Sequence, residues 1–522
     1  MTFKLTYATM FDPPPQLHER FESAVQRVRS GLGRRHSLYI AGKDRPARRY
    51  FEKTNPADSG QVLGEFPSAS AQDAADAMQA AASAWQSWRG IPPAQRAEAL
   101  RHVSRLIEER VYDIAAALTL EVGKNRMEAL AEVQETADFF SLYAADFERS
   151  GAFDRTLPDD PLTTHASHNR SVLKPYGVWV VIAPFNFPLA LAGGPTAAAL
   201  VTGNTVVLKG ATATPWAGRL LADCIRDAAL PPGVFNYLSG PGAEVGAALI
   251  SHPLVSGATF TGSHEVGMQI VQALQAPPVP RPCIAEMGGK NACIVTPSAD
   301  LERAASGIVR SAFGMDGQKC SALSRLYVHA RVADALREKL LAQTAAIRIG
   351  DPTRREHWLG PVTTRSAYEN YARYIARLRD GDARLLTGGE PLTDGDLARG
   401  YFVRPTIAEA PLGHPLWNEE MFLPILMVHR VSSNDEAMAL MNRSPLGLTA
   451  GFYGGADEVA WFNENAEAGV TYANRPQGAT TGAWPGYQAF GGWKGSGSTG
   501  KAIGSFYYLP QYMREQSQTV VE

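Results

Sequence analysis

Net charge is scarce in this sequence. Fifty lysines and arginines against 52 aspartates and glutamates leave −2 over 522 residues. That balance builds no extended field of one sign, so neither nucleic acid nor an anionic membrane surface is expected as a partner. Cysteine is scarcer still. Cys224, Cys283, Cys293 and Cys320 are the only four. They show no CxxC spacing and no histidine-pair motif, which argues against a disulfide framework and against a zinc or other metal site. Reduced thiols in a cytoplasmic protein are the simpler expectation. A long apolar run is missing too. Residues 176–208 carry no charge, but Pro184, Pro188, Gly193, Gly194, Pro195, Gly203 and Asn204 interrupt them, leaving no span of about 18 apolar residues. They read as buried strand, turn, buried helix, turn, buried strand. The opening MTFKLTYATMFDPPP has no basic segment followed by an apolar one, so no secretory signal is expected. Finally, no GxGxxG with a downstream acidic residue occurs, so the standard dinucleotide fingerprint is absent.

What is present points to an α/β enzyme of two or three domains, because 522 residues exceed one hydrophobic core. Residues 16–32 read as a helix and 38–66 as short strands. Residues 71–148 are helical, with apolar side chains at i, i+3 and i+4 spacing in Ala97, Leu100, Val103, Leu106 and Ile107. The polar, proline-containing 148–175 reads as a hairpin or extended linker. Apolar strands at 178–184, 205–210, 234–240 and 257–263 then alternate with helical 215–228 and 242–250. Strands apolar on both faces, alternating with helices, predict a parallel doubly wound sheet. Such sheets bind ligands beyond the carboxyl ends of their strands. Glycines cluster there, at 240–242 and at Gly262–Ser263. A second α/β region runs from 284 to about 471. The glycine-rich 472–522 is either a flexible end or a loop that closes a site.

The stretch GMDGQKCSALSR (314–325) holds Cys320 among small and polar residues. A thiolate is a strong nucleophile, but a lone cysteine is weak evidence, since free cysteines are commonly inert core thiols. Its company strengthens it. PFNFP (184–188), FTGS (260–263), EMGGKN (286–291), GQKC (317–320), EEMFLP (419–424) and FGGWKGSG (490–497) occur together in one chain. In order and approximate spacing this set resembles the aldehyde dehydrogenase superfamily over nearly the whole chain. CSALSR after the cysteine, NR at 474–475, TGA at 481–483 and QAFGG at 488–492 look like the 1-pyrroline-5-carboxylate dehydrogenase branch, whose substrate is L-glutamate γ-semialdehyde, an intermediate of proline catabolism.

The resemblance implies two Rossmann-like domains plus a small β oligomerisation flap. The NAD(P)-binding domain would comprise 1–147 and 173–285, the catalytic domain 286–471, and the flap and substrate-anchoring tail 148–172 and 472–522. An aldehyde has no leaving group, so hydride departs only after a nucleophile has made its carbon tetrahedral. The resemblance gives Cys320 that role, Asn186 and the Cys320 N–H the oxyanion, and Glu286 the base that hydrolyses the thioester. A carboxylate at 286 favours free-acid release over transfer to coenzyme A. The same resemblance assigns NAD to Phe185, Lys209, Gly262, Ser263, Glu420 and Phe422. Thr212 stands where a glutamate often binds the adenosine ribose, which removes a repulsion against a 2′-phosphate and leaves NADP open. Leu423 stands where a glycine is usual.

For the substrate, the resemblance points to Ser321 and the backbone of Gly482 and Ala483 at the α-carboxylate. Phe187 and Phe490 would flank the aliphatic chain, and Glu135 is a further candidate on a helix facing the tunnel. It also implies a homodimer or dimer-based oligomer. Two alternatives stay open: the same oxidation of another ω-semialdehyde or small aldehyde, and a non-catalytic protein on this fold.

Overall fold

A computed structural model describes residues 13–161, 165–276, 278–478 and 485–522. Two seven-stranded sheets dominate. The first is centred on Val178–Ile182, Thr205–Lys209, Phe235–Leu238, Val255–Gly262 and Cys283–Met287, all parallel. Leu38–Ile40 and Lys43–Arg45 extend it antiparallel at one edge. The strand period of two divides its side chains cleanly. Val178, Val180 and Val207 enter one core, while Trp179, Val181, Val206 and Leu208 enter the other. Both faces are therefore covered, which explains strands without polar alternation.

The second sheet contains Thr406–Glu409, Ile425–Val431, Leu323–His329, Asn291–Val295, Thr449–Tyr453 and Val470–Ala473, parallel throughout, with Arg384–Thr387 antiparallel at its edge. Here too Ala292 and Ile294 face one core, and Cys293 and Val295 the other. Cys283–Met287 pairs within the first sheet, so the chain crosses between sheets at 288–290, just beyond the boundary expected at 285. Strand pairing sets that point, within the Gly-Gly-Lys stretch between the two strands.

The linker and the tail meet. Ser167–Pro175 pairs with Met513–Val521 over nine residues and with Asp154–Leu157 on its other side. The expected hairpin thus forms, and the C-terminus supplies its third strand. Elsewhere the tail does close onto a site: Met287 N donates to Ser496 O at 2.8 Å, and Phe490 pairs with Ile503.

Candidate active site

The two sheets present opposite ends to one seam. Asn186, Lys209, Gly262 and Glu286 lie at or just past the carboxyl ends of first-sheet strands. Asn291, Cys320, Glu420 and Thr449 lie at or just before the amino ends of second-sheet strands. Two walls of loop backbone therefore face each other across the seam.

Cys320 follows a tight turn in which Met315, Asp316 and Gly317 take φ of 55°, 56° and 65°. Left-handed backbone at two non-glycine residues is costly and persists only where surrounding contacts hold it. The holding contacts are visible. Asn291 Nδ2 donates to Cys320 O at 2.7 Å and to Ala322 O at 2.8 Å, while its Oδ1 accepts from Thr449 N at 3.0 Å. Asn186 Nδ2 donates to Gln318 O at 2.9 Å. Gln318 Oε1 in turn accepts from Thr363 N at 3.0 Å. Cys224, Cys283 and Cys293 are buried, and Cys320 alone keeps an opening. Burial and the nearby Glu420 and Glu286 carboxyls push its thiol up to about 12, against the pull of the Cys320 and Ser321 backbone N–H groups.

Glu286 Oε2 accepts from Gly492 N at 3.1 Å, and Oε1 has no hydrogen-bond partner among the described residues. Burial pushes its carboxyl up to about 8, which is where a general base for neutral pH belongs. The two glycines after it have a steric reason. A Cβ on Gly288 would fall on the Glu420 carboxylate, and one on Gly289 would lie 2.5 Å from Cys320 O. Gly289 N donates to Glu420 Oε1 at 2.8 Å, and burial raises Glu420 to about 7.

The residues predicted for a dinucleotide form a connected surface. Phe185 and Phe422 meet edge to face with centroids 5.7 Å apart. Lys209 is buried, its ammonium has no hydrogen-bond or ion-pair partner among the described residues, and desolvation lowers it to about 8. An unpartnered buried ammonium at a strand end fits a ribose hydroxyl, and a Glu420 oxygen left over fits a ribose diol; the chain is thus suited to NAD. Ser263 caps the helix His264–Gln275 beside Gly262, at an N-terminus suited to a phosphate. Thr212 donates its hydroxyl to Gly240 O at 2.7 Å and brings no carboxylate. Leu423 is buried in the second sheet's core, and the left-handed residue is its neighbour Phe422, φ 56°. The bulk of Leu423 is therefore absorbed by the core.

Beside the loop that carries Cys320, a cavity of 280 Å³ is lined by Phe187, Glu128, Ala131, Lys319, Arg126 and Trp358, among others. Lys319, next to Cys320, pairs with Glu128 at 3.2 Å. Ser321 is buried. Phe187 and Phe490 both pack against the first sheet's helical core. Glu135 is 3% exposed; burial and the adjacent Glu132 hold its carboxyl well above the usual range, unlike a solvated helix glutamate. Gly482 and Ala483 lie outside the described residues. Sequence reasoning gave no role to Asn291, although it sits inside EMGGKN, nor to Lys124 and Glu132, which lie in an ordinary-looking helical block.

Comparison with known proteins agrees with this geometry. The model of the aldehyde dehydrogenase family matches residues 43–518. A 1-pyrroline-5-carboxylate dehydrogenase of Halalkalibacterium halodurans is 37% identical over 511 residues, spanning 96% of each chain. One from Bacillus subtilis is 37% identical over 97% of this chain and 96% of its own. The crystal structure of the Thermus 1-pyrroline-5-carboxylate dehydrogenase with bound NAD superposes with a TM-score of 0.92 at 33% identity, covering 100% of this chain and 98% of that one. With cysteine, asparagine and glutamate meeting at one seam and a family match spanning both sheets, this chain belongs to the aldehyde dehydrogenase family.

Proposed function

We propose that this chain oxidises L-glutamate γ-semialdehyde, the open form of 1-pyrroline-5-carboxylate, to L-glutamate with NAD. The observation that carries the reading is the meeting of Cys320, Asn186 and Glu286 around one opening, in a chain that matches relatives of that name over 96% of its length.

The Cys320 thiol first gives its proton to solvent; Sγ, now a thiolate, bonds to the aldehyde carbon as the carbonyl π pair moves onto oxygen. An asparagine NH₂ carries two hydrogens. One of Asn186's is held by Gln318 O, which aims the other, together with the Cys320 N–H, at the oxyanion. NAD, when bound, supplies a positive charge and the hydride acceptor. Loss of hydride from carbon leaves the acyl group on Sγ as a thioester. Glu286, through its unpartnered Oε1, takes a proton from the attacking water; the C–S bond breaks and the carboxylic acid leaves. Lys209 and Glu420 hold the two riboses in this reading, Gly262 and Ser263 the pyrophosphate, and Phe185 and Phe422 the nicotinamide end.

Ser321 with the backbone of Gly482 and Ala483 takes the substrate's α-carboxylate. Phe187 and Phe490 flank its methylenes, and Glu135 contributes an inner acidic group. The division into an NAD-binding unit (1–147 and 173–285), a catalytic unit (286–471) and a flap with tail (148–172 and 472–522) belongs to the same reading. So do a cytoplasmic setting, consistent with four unpaired thiols, and a homodimer or dimer-based oligomer. Val520 and Val521 leave apolar surface on the terminal strand at 59% and 56% exposure.

Specificity constants over an aldehyde panel, with NAD and NADP in parallel, test this. Glutamate semialdehyde is expected to exceed propanal by at least about tenfold, since a paired substrate carboxylate is worth more than about 1.4 kcal/mol. Equal constants refute the substrate assignment.

A further inference from the structure

Lys124 and Glu132 form an ion pair with both side chains at 0% exposure. Burying two charges costs several kcal/mol per ion, and such pairs are commonly replaceable by apolar side chains without loss of stability. Its place in the fold supplies a different use for it. Glu132 Oε1 accepts from Leu189 N at 2.9 Å and Ala190 N at 3.2 Å. These are the backbone donors directly after PFNFP, at the start of the helix Ala190–Val201. Its Oε2 takes the Lys124 ammonium. That ammonium lies 3.6 Å from the centroid of the Phe187 ring, close enough for a cation–π contact.

The pair thus grips the turn at two points on one side of Asn186: the ring of Phe187 and the amides of Leu189 and Ala190. On the other side, Gln318 O receives the Asn186 amide. The segment carrying Lys124 is itself tied to the catalytic unit. Val122 O accepts from Thr363 Oγ1 at 2.7 Å, and Asn125 Nδ2 donates to Trp358 O at 2.8 Å. Thr363 N also donates to Gln318. One hydrogen-bonded frame therefore spans Lys124, Glu132, the Asn186 turn and the Cys320 loop.

We propose that Lys124 and Glu132 are positioning residues that fix the Asn186 turn, and hence the second amide hydrogen of Asn186, against the nucleophile loop. This rests on the reading of Asn186 as oxyanion donor. Neither side chain is exposed, so neither is placed on substrate. The ion pair ties the turn to the helix Arg126–Arg149, and Phe187, on the cavity wall, is held from behind by the same ammonium.

The test is single-turnover NADH formation at saturating aldehyde and NAD, with thermal midpoints, for Lys124→Met, Lys124→Met/Glu132→Gln, Asn186→Ala and Lys124→Met/Asn186→Ala. Lys124→Met alone leaves a buried carboxylate unpaired and lowers the midpoint. The charge-free double variant is nearly isosteric and regains stability. Positioning predicts that its single-turnover rate stays about tenfold down while the KM for aldehyde moves less than about threefold, since only part of an oxyanion donor's 10²–10³ is lost. It also predicts that Lys124→Met adds almost nothing on top of Asn186→Ala. Recovery of rate together with stability in the double variant, or additive losses with Asn186→Ala, overturns the positioning role while the oxyanion reading stands. A full single-turnover rate in Asn186→Ala overturns the oxyanion reading and the proposal with it.

Discussion

Replacing Glu286 by glutamine separates the two halves of the proposed reaction. Glutamine keeps an oxygen to accept from Gly492 N, the one side-chain hydrogen bond of Glu286 among the described residues, and keeps the side-chain volume, but it cannot take a proton from water. Acylation of Cys320 should survive and deacylation should slow by about 10²–10⁴, the usual worth of a general base. Rapid mixing should then show a burst of one NADH per active site followed by a slow phase, and intact-protein mass should show the acyl group on Cys320. The wild-type carboxyl is pushed up to about 8, so about one Glu286 in ten is ionised at pH 7 and nine in ten at pH 9. Wherever deacylation limits turnover, the wild-type steady-state rate should rise about tenfold between those values with a midpoint near 8, and the slow phase of Glu286→Gln should lack that rise. A variant with no burst and no acyl adduct, or one with undiminished steady-state turnover, refutes the assignment.

The same raised carboxyl has a stability consequence. A group that binds its proton more tightly when folded contributes stability below its unfolded value near 4.5 and loses it as pH rises through about 8. Glu286→Gln should therefore have a higher thermal midpoint than wild type at pH 8.5, by a free energy of about 4–5 kcal/mol, and little difference at pH 4.5; calorimetry at both values checks the sign. Asn186→Ala should slow single-turnover NADH formation by about 10²–10³ with little change in NAD affinity. Gly288→Ala puts a methyl on the Glu420 carboxylate and should weaken NAD binding at least tenfold in titration calorimetry, a difference of about 1.4 kcal/mol.

The loops carrying Asn186, Glu286 and Cys320 stood out in the sequence through their joint resemblance to the aldehyde dehydrogenase superfamily, since each is short and local while each alone is weak evidence. PFNFP, EMGGKN and GQKC each combine a polar group with glycine or proline at fixed spacing, and Gly288–Gly289 proves to be the contact surface for Glu420 and Cys320. The doubly wound sheets were legible from strands apolar on both faces. What the sequence could not carry is long-range pairing. Nothing in SHNRSVLKP and MREQSQTVV announces that they form nine rungs of one ladder across about 340 residues. Nor does a charged pair at i and i+8 in an alanine-rich helical block announce itself. Lys124 and Glu132 look like solvated surface residues until the turn after Asn186 folds over them. Glu135 was harder to read for the same reason: its burial comes from elements packed around the helix, not from its own neighbours.

The most direct test of the central claim measures glutamate and NADH together, from 1-pyrroline-5-carboxylate and NAD, with wild type and Cys320→Ser. The account predicts one glutamate for each NADH in wild type and neither product above background in Cys320→Ser. NADH without stoichiometric glutamate, or an undiminished rate in Cys320→Ser, contradicts it.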